Sequence, residues 1–117
     1  MTVTKFPETR KARRGHNFYA PKAVMSKIPK LYATDKVDAA DKIVWLHYFT
    51  GGSDWWVTEY DPETGVAFGY ACLNGDTQNA EWGYMSLPEM EEVYIAPFTI
   101  IERDCYWTPE VFSEMRR

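Results

Sequence analysis

The stretch WWVTEYDPETGVAFGYAC, residues 55–72, decides the fold. Its two arms, 55–60 and 66–72, are rich in the aromatic and β-branched residues that favour strands. Between them lies DPETG, in which Pro62 sets φ for a type I turn and Gly65 can adopt a positive φ. The stretch therefore predicts a β-hairpin closed by a five-residue connection.

Turn residues on both sides of this hairpin delimit further elements. Strands are predicted over 43–49, 55–61, 66–72, 81–86 and 98–102, and short helices over 21–28, 87–93 and 109–115. The second helix begins with a capping box in which Ser86 is the N-cap. No connection is long enough for a parallel crossover. The sequence predicts an α+β fold, an antiparallel β-meander of four or five strands flanked by short helices.

A chain of 117 residues predicts one domain. We place it at residues 21–117 and interpret residues 1–20 as a basic, flexible N-terminal arm. As an alternative, the arm folds back onto an acidic body and hides both charges. The expected core side chains are large and apolar: Trp45, Leu46, Val57, Phe68, Leu87, Ile100 and Phe112.

Several classes of protein are disfavoured by composition. No apolar run approaches the 18 to 20 residues or so that span a membrane. Cys72 and Cys105 are too few for a disulfide framework, so we expect two buried, reduced thiols and a cytoplasmic protein. No metal-ligand spacing or glycine-rich phosphate loop is present, so we expect neither a metal nor a cofactor.

Charge is unevenly distributed along the chain. Residues 1–42 carry ten Lys or Arg and four acids, a net charge of +6, whereas residues 43–117 carry three bases and thirteen acids, a net charge of −10. An acidic body repels phosphates, so we expect no direct nucleic-acid binding by the body and only weak contact through the arm. Acidity can also serve solubility alone.

An enzymatic interpretation rests on few residues: His47, Glu59, Asp61, Glu81 and the cluster Glu102-Arg103-Asp104. Paired carboxylates act as acid and base only if their environments separate their pKa values. His47 lies in an apolar strand without a nucleophile motif, so a packed, hydrogen-bonded histidine is expected there. We assign no catalytic residue and expect a protein that is not an enzyme.

Three groups of residues carry a resemblance by their order and spacing. They are PKLYATD (29–35), then WVTEYD (56–61) with Phe68-Gly69, then EWGYMSL (81–87) with Glu91 and IERD (101–104). Over about residues 25–115 the chain resembles a family of short bacterial proteins catalogued only as a domain of unknown function. The resemblance implies a setting on plasmids, integrative elements and phages, where counter-defence and regulatory proteins are common. It brings no catalytic residues to carry over.

Together these features favour a non-enzymatic, acidic interaction protein of a mobile genetic element. It would inhibit a host nucleic-acid-handling defence complex, of the anti-restriction or anti-CRISPR type, by binding its basic surface. Alternatives are a small enzyme or small-molecule-binding domain using the sheet face, and a homodimeric accessory subunit. The candidate protein-binding residues are acids and neighbouring aromatics: Glu59, Tyr60, Asp61, Glu63, Trp82, Glu89, Glu91, Glu92 and Tyr94.

Overall fold

The computed structural model describes residues 6–97 and 99–115. Along the chain lie α1 (Lys11–Arg14), α2 (Lys22–Met25), a 3₁₀ helix (Ala39–Asp41), β1 (Ile43–Val44), β2 (Leu46–Thr50), β3 (Ser53–Tyr60), β4 (Val66–Cys72), β5 (Glu81–Ser86), α3 (Leu87–Glu92), β6 (Glu102–Arg103), β7 (Glu110–Val111) and a second 3₁₀ helix (Phe112–Glu114). One antiparallel sheet has the order β5-β4-β3-β2-β6, and β1 pairs with β7 in a two-stranded sheet. The predicted α+β fold with an antiparallel meander is confirmed.

The β3–β4 hairpin closes as its sequence predicts. Gly65 has φ of 79°, and its N–H donates to the Asp61 carbonyl at 2.8 Å. The Asp61 carboxylate accepts the Glu63 N–H at 2.9 Å and the Thr64 hydroxyl at 3.0 Å. A Cβ on Gly65 would lie 2.4 Å from Pro88, so the hairpin tip also packs against the start of α3.

A β-bulge in β3 determines on which face of the sheet each side chain of this strand lies. The β3–β4 register shifts between Val57 and Glu59, so an extra residue lies in β3 there. As a result Tyr60 joins Val57 on the buried face, while Glu59 lies on the opposite one. Opposite the bulge, a Cβ on Gly69 would lie 1.9 Å from the Trp56 carbonyl oxygen, so only glycine fits.

The two faces of the large sheet are covered unequally. The inner face packs on the larger cluster, which includes Phe18, Tyr19, Met25, Ile28, Leu46, Tyr48, Val57, Leu87 and Met90. The outer face is only partly covered by a smaller cluster of Val44, Trp56, Cys72, Phe112 and Met115. Of the predicted core, Trp45 and Phe68 are half-buried rather than buried, and the other five side chains are buried.

Strand 43–49 is interrupted at Trp45, giving β1 and β2. In place of the predicted strand 98–102 lies the shorter β6, which shares only Glu102 with it. Thr99 instead bridges Ile95, and Phe98 lies outside the described residues. The helix predicted over 21–28 is limited to α2.

The predicted helix over 109–115 is wrong. Glu110 and Val111 pair with β1, and the Phe112 N–H donates to the Lys42 carbonyl at 2.9 Å. A seven-residue helix is marginal by itself. The strand pairing and the burial of Phe112 against the outer face therefore outweigh the weak helical tendency of this segment.

The segment expected as a flexible arm is packed from residue 6 onward, and residues 1–5 lie outside the described part. Phe18 and Tyr19 are fully buried. The Arg14 guanidinium donates to the Ile101 carbonyl at 2.8 Å and approaches Glu91 at 3.3 Å. Over residues 6–20 the arm prediction is therefore corrected: this basic segment lies on the acidic body.

Both thiols are free, but Cys105 is exposed rather than buried. No helix among the described residues combines the length and apolar character that crossing a membrane requires.

Candidate functional site

Four aromatic side chains form one row across the outer face. The strand register places His47 opposite Trp56, Trp56 opposite Tyr70, and Tyr70 opposite Trp82. Neighbouring ring centroids are 5.4, 6.0 and 5.4 Å apart along this row. We call these four residues the aromatic row. Its spacing lies within the range in which aromatic pairs stabilise one another.

Three members of the aromatic row, His47, Trp56 and Tyr70, line a cleft of about 800 Å³. The cleft is lined by His47, Asp54, Trp56, Tyr70, Cys72, Gly75, Thr77, Ala80, Asp104 and Trp107. Trp107 forms one wall, with its ring centroid 5.4 Å from that of His47. Its indole N–H donates to the Val44 carbonyl at 3.0 Å, which fixes the orientation of the ring.

His47 lies between two carboxylates at one end of the cleft. Its Nε2 is 2.8 Å from Oδ1 of Asp54, and its Nδ1 is 3.0 Å from Oδ2 of Asp104. Both ring nitrogens face carboxylate oxygens, and the two carboxylates give this end of the cleft a net negative charge.

Backbone pairing positions both residues. Asp54 lies in β3, opposite Phe49 of β2 and Cys72 of β4, and the Asp104 N–H donates to the His47 carbonyl at 2.8 Å. Oδ1 of Asp104 accepts the Tyr106 N–H at 3.0 Å. Within the described residues, no hydrogen bond reaches Oδ2 of Asp54, which leaves that oxygen available to a donor on a ligand.

The hydrogen-bond partners of His47 are both carboxylates. Within the described residues, His47 hydrogen-bonds two carboxylates and neither a hydroxyl nor a thiol. A general base needs a ring nitrogen that can reach the reacting proton. Among residues 6–97 and 99–115, no group of three or more His, Cys, Asp or Glu side chains could hold a metal ion.

Glu59, predicted as part of an acidic surface, is only 3% exposed. Its carboxylate accepts the Tyr32 N–H at 2.8 Å and the Thr34 N–H at 3.0 Å, and it also contacts the Thr34 hydroxyl. The Lys42 ammonium donates to that same hydroxyl at 2.8 Å. Glu59 therefore anchors the 30–34 segment, and it presents no charge to a partner.

Glu91, also predicted to bind a partner, is 1% exposed. Its carboxylate accepts the Thr9 N–H and hydroxyl, both at 2.7 Å, and the Arg10 N–H at 2.9 Å. With the Arg14 contact at 3.3 Å, these bonds attach the N-terminal segment to α3. Glu91 thus has a basic neighbour in space, Arg14, although it has none nearby in sequence.

The remaining predicted residues do not form one patch. Tyr60 is buried and Trp82 is half-buried in the aromatic row, whereas Glu63, Glu89 and Glu92 are exposed. Tyr94 lies under two guanidinium groups, those of Arg10 and Arg13, at 5.2 and 4.5 Å from its ring centroid. The Glu63 N–H and the Thr64 hydroxyl, which donate to Asp61, lower the pKa of its carboxyl.

Of the predicted protein-binding residues, only Trp82 belongs to the aromatic row. His47 and Asp104, named in the enzymatic interpretation, line the cleft. The prediction missed Asp54, Trp56, Tyr70 and Trp107. One signal for the row was present in the sequence. A two-residue turn at Gly51-Gly52 pairs residues equidistant from it, which places His47 opposite Trp56. Asp104 and Trp107 reach His47 across more than fifty residues of chain. No local sequence pattern indicates this contact.

The fold and the cleft define a small α+β protein with an aromatic cleft that contains two carboxylates on an antiparallel sheet. Residues 22–114 match the family model described as "Protein of unknown function (DUF2958)". The chain belongs to this family. The search of curated proteins and the search of solved structures returned no match.

Proposed function

We propose that this protein is a non-enzymatic binding module that takes a cationic side chain of a basic partner protein into the cleft. One observation carries the proposal: two carboxylates, those of Asp54 and Asp104, lie at the end of a cleft walled by Trp56, Tyr70 and Trp107. Aromatic faces and carboxylates are the groups that attract guanidinium and ammonium ions.

The partner class follows from charge. The net charge of −4 and the exposed acids near the cleft, such as Asp76 and Glu81, attract a basic surface over long range. Basic surfaces are typical of proteins that handle nucleic acids. We propose as partner a host defence complex of the restriction or CRISPR type, which the bound module would inhibit by covering its nucleic-acid site.

A second candidate is a small organic cation as the ligand of the same cleft. A volume of about 800 Å³ lies within the range of pockets that enclose small molecules, about 300–1,000 Å³. The chemistry of recognition is the same, but a free small molecule would saturate the cleft without any protein partner.

An interference assay tests the biological proposal. Restriction or CRISPR targeting of a plasmid is measured in cells expressing the wild-type protein, Asp54→Asn with Asp104→Asn, or the control Asp38→Asn, whose carboxylate is exposed away from the cleft. We expect the wild type and control to protect the plasmid, and the double variant to lose protection. Lack of protection by the wild type against every system tested, with no basic protein recovered from lysate, would exclude this partner class.

A further inference from the structure

Strand β5 lies at an edge of the large sheet and has an open side. Its six residues pair with β4 in a regular register from Ala71↔Glu81 to Val66↔Ser86. Within the described residues, no strand or loop pairs with the other side of β5. Proteins usually protect such edges with Lys, Pro or a bulge, but β5 has none of these, and Glu81 is its one charged residue.

An exposed aromatic pair stands beside this open edge. Tyr84 is 58% exposed and Tyr32 is 62% exposed, and their ring centroids are 6.3 Å apart. Tyr32 has φ of 71°, a conformation that a tyrosine rarely adopts. The buried Glu59 carboxylate holds it there by accepting its N–H. The fold thus fixes an aromatic ring at the surface, beside Tyr84 of the edge strand.

We propose that β5 pairs with β5 of a second copy of the chain, antiparallel and with the two Gly83 residues opposite each other. This inference does not depend on the ligand of the cleft. In this register Trp82 lies opposite Tyr84 of the second copy, and Glu81 lies opposite Met85 of the second copy. Two five-stranded sheets would then join into one sheet of about ten strands.

The sequence of β5 is self-complementary in this register. Aromatic residues flank Gly83 on both sides, and cross-strand aromatic pairs stabilise antiparallel strands. Glu81 does not lie opposite Glu81 of the second copy, which would repel it, but opposite the apolar side chain of Met85. A register centred on Tyr84 would place Trp82 opposite Ser86 and leave Glu81 outside the pairing. A strand of an unrelated protein would form the same backbone hydrogen bonds with β5. Such a strand need not carry aromatic residues at the positions that match Trp82 and Tyr84.

The two-fold axis would be perpendicular to the sheet, so both outer faces would point in the same direction. The dimer would present its two clefts side by side, and a bivalent partner could occupy both. Because one pair of six-residue strands is a small contact, we expect a dimer that dissociates on dilution.

Crosslinking tests the register directly. In a Cys105→Ser background, which removes the exposed thiol, Gly83→Cys should form an intermolecular disulfide under mild oxidation, because directly opposite Cα atoms lie within disulfide range. A Cβ at Gly83 meets no atom within 4 Å, so the variant should fold, as circular dichroism can verify. Glu81→Cys in the same background is the matched control and should crosslink poorly. Equal crosslinking at both positions, or none at Gly83→Cys, would contradict the proposed register.

Sedimentation equilibrium measures the association itself. We expect the wild type to dimerise reversibly and Tyr84→Lys to weaken dimerisation by about tenfold or more, as loss of a central aromatic typically does. Tyr106→Lys is the control, since Tyr106 is 95% exposed in a loop, and its dimerisation should change less than about twofold. A wild type that stays monomeric at several hundred micromolar protein would overturn the proposal. The open edge of β5 would then be a candidate site for a strand of another protein.

Discussion

The imidazole of His47 lies nearly parallel to the indole of Trp56, with ring centroids 5.4 Å apart and planes inclined by 8°. The stacking partner is also the directly opposite residue in the strand register. Stacking and two carboxylates therefore fix the imidazole on three sides. The ring is thereby held as part of the lining of the cleft.

Glu91→Gln should strongly destabilise the domain. Glu91 is buried with Arg14, and removing one partner of a buried ion pair leaves the other charge uncompensated. We expect a loss of about 3 to 5 kcal/mol in the free energy of unfolding, measured by chemical denaturation. Glu92→Gln, the exposed neighbour, is the matched control and should change it by less than about 0.5 kcal/mol. Similar effects of the two substitutions would contradict a structural role for Glu91.

Gly69→Ala should destabilise the sheet, because its Cβ would approach the Trp56 carbonyl oxygen to 1.9 Å. We expect a loss of about 1 to 3 kcal/mol or more, measured by thermal unfolding. Gly83→Ala provides the control in the same sheet, since no atom lies within 4 Å of its Cβ. If both variants unfold at the same temperature, the proposed clash between a Cβ at position 69 and the Trp56 carbonyl oxygen is wrong.

Asp61→Asn should reduce the acid sensitivity of the fold. The pKa of Asp61 is lowered in the folded state from 3.8, chiefly by the Glu63 N–H. Its contribution to stability is thus present above pH 3.8 and is lost as the pH falls through the lower folded-state value. Asparagine can accept the same N–H but does not titrate. Below about pH 4, the unfolding free energy should fall less steeply with decreasing pH in the variant than in the wild type. Equal slopes would exclude this contribution.

Tyr32→Phe should lower the pKa of Tyr84. A hydrogen bond with Tyr32 is the largest cause of the raised pKa of the Tyr84 hydroxyl, and partial burial adds to it. Without the Tyr32 hydroxyl we expect the pKa to move toward the ordinary value of about 10. Ring-carbon NMR shifts followed through alkaline titration measure it. Tyr106→Phe serves as the control, and an unchanged Tyr84 titration in Tyr32→Phe would rule out the hydrogen bond.

Local chemistry predicts the central hairpins well. Pro62, Gly65 and the Ser86 cap delimit β4, β5 and α3, and the predicted strands 66–72 and 81–86 match the structure. The end of the chain was predicted less well, because the extended form of Glu110 and Val111 depends on pairing with β1. Such pairing joins residues nearly seventy positions apart and leaves no periodicity in the sequence.

The candidate site was harder to predict for a related reason. Charge composition identifies acids but not which of them are buried. Glu59 and Glu91 receive backbone N–H groups from segments 25 to 82 residues away, and these contacts turn apparent surface charges into internal ones. Conversely, Asp54 and Asp104 meet at His47 only after the sheet forms.

The most direct test of the cleft is a titration of isotope-labelled protein with N-acetylarginine amide, followed by the indole N–H resonances of Trp56 and Trp107. We predict saturable shifts of both indoles, weakened about tenfold or more in Asp54→Asn with Asp104→Asn and unchanged in Asp38→Asn. The uncharged N-acetylglutamine amide should produce no saturable shift. If the arginine probe leaves both indoles unmoved, or if the uncharged probe shifts them equally, the cleft is not a site for cationic side chains.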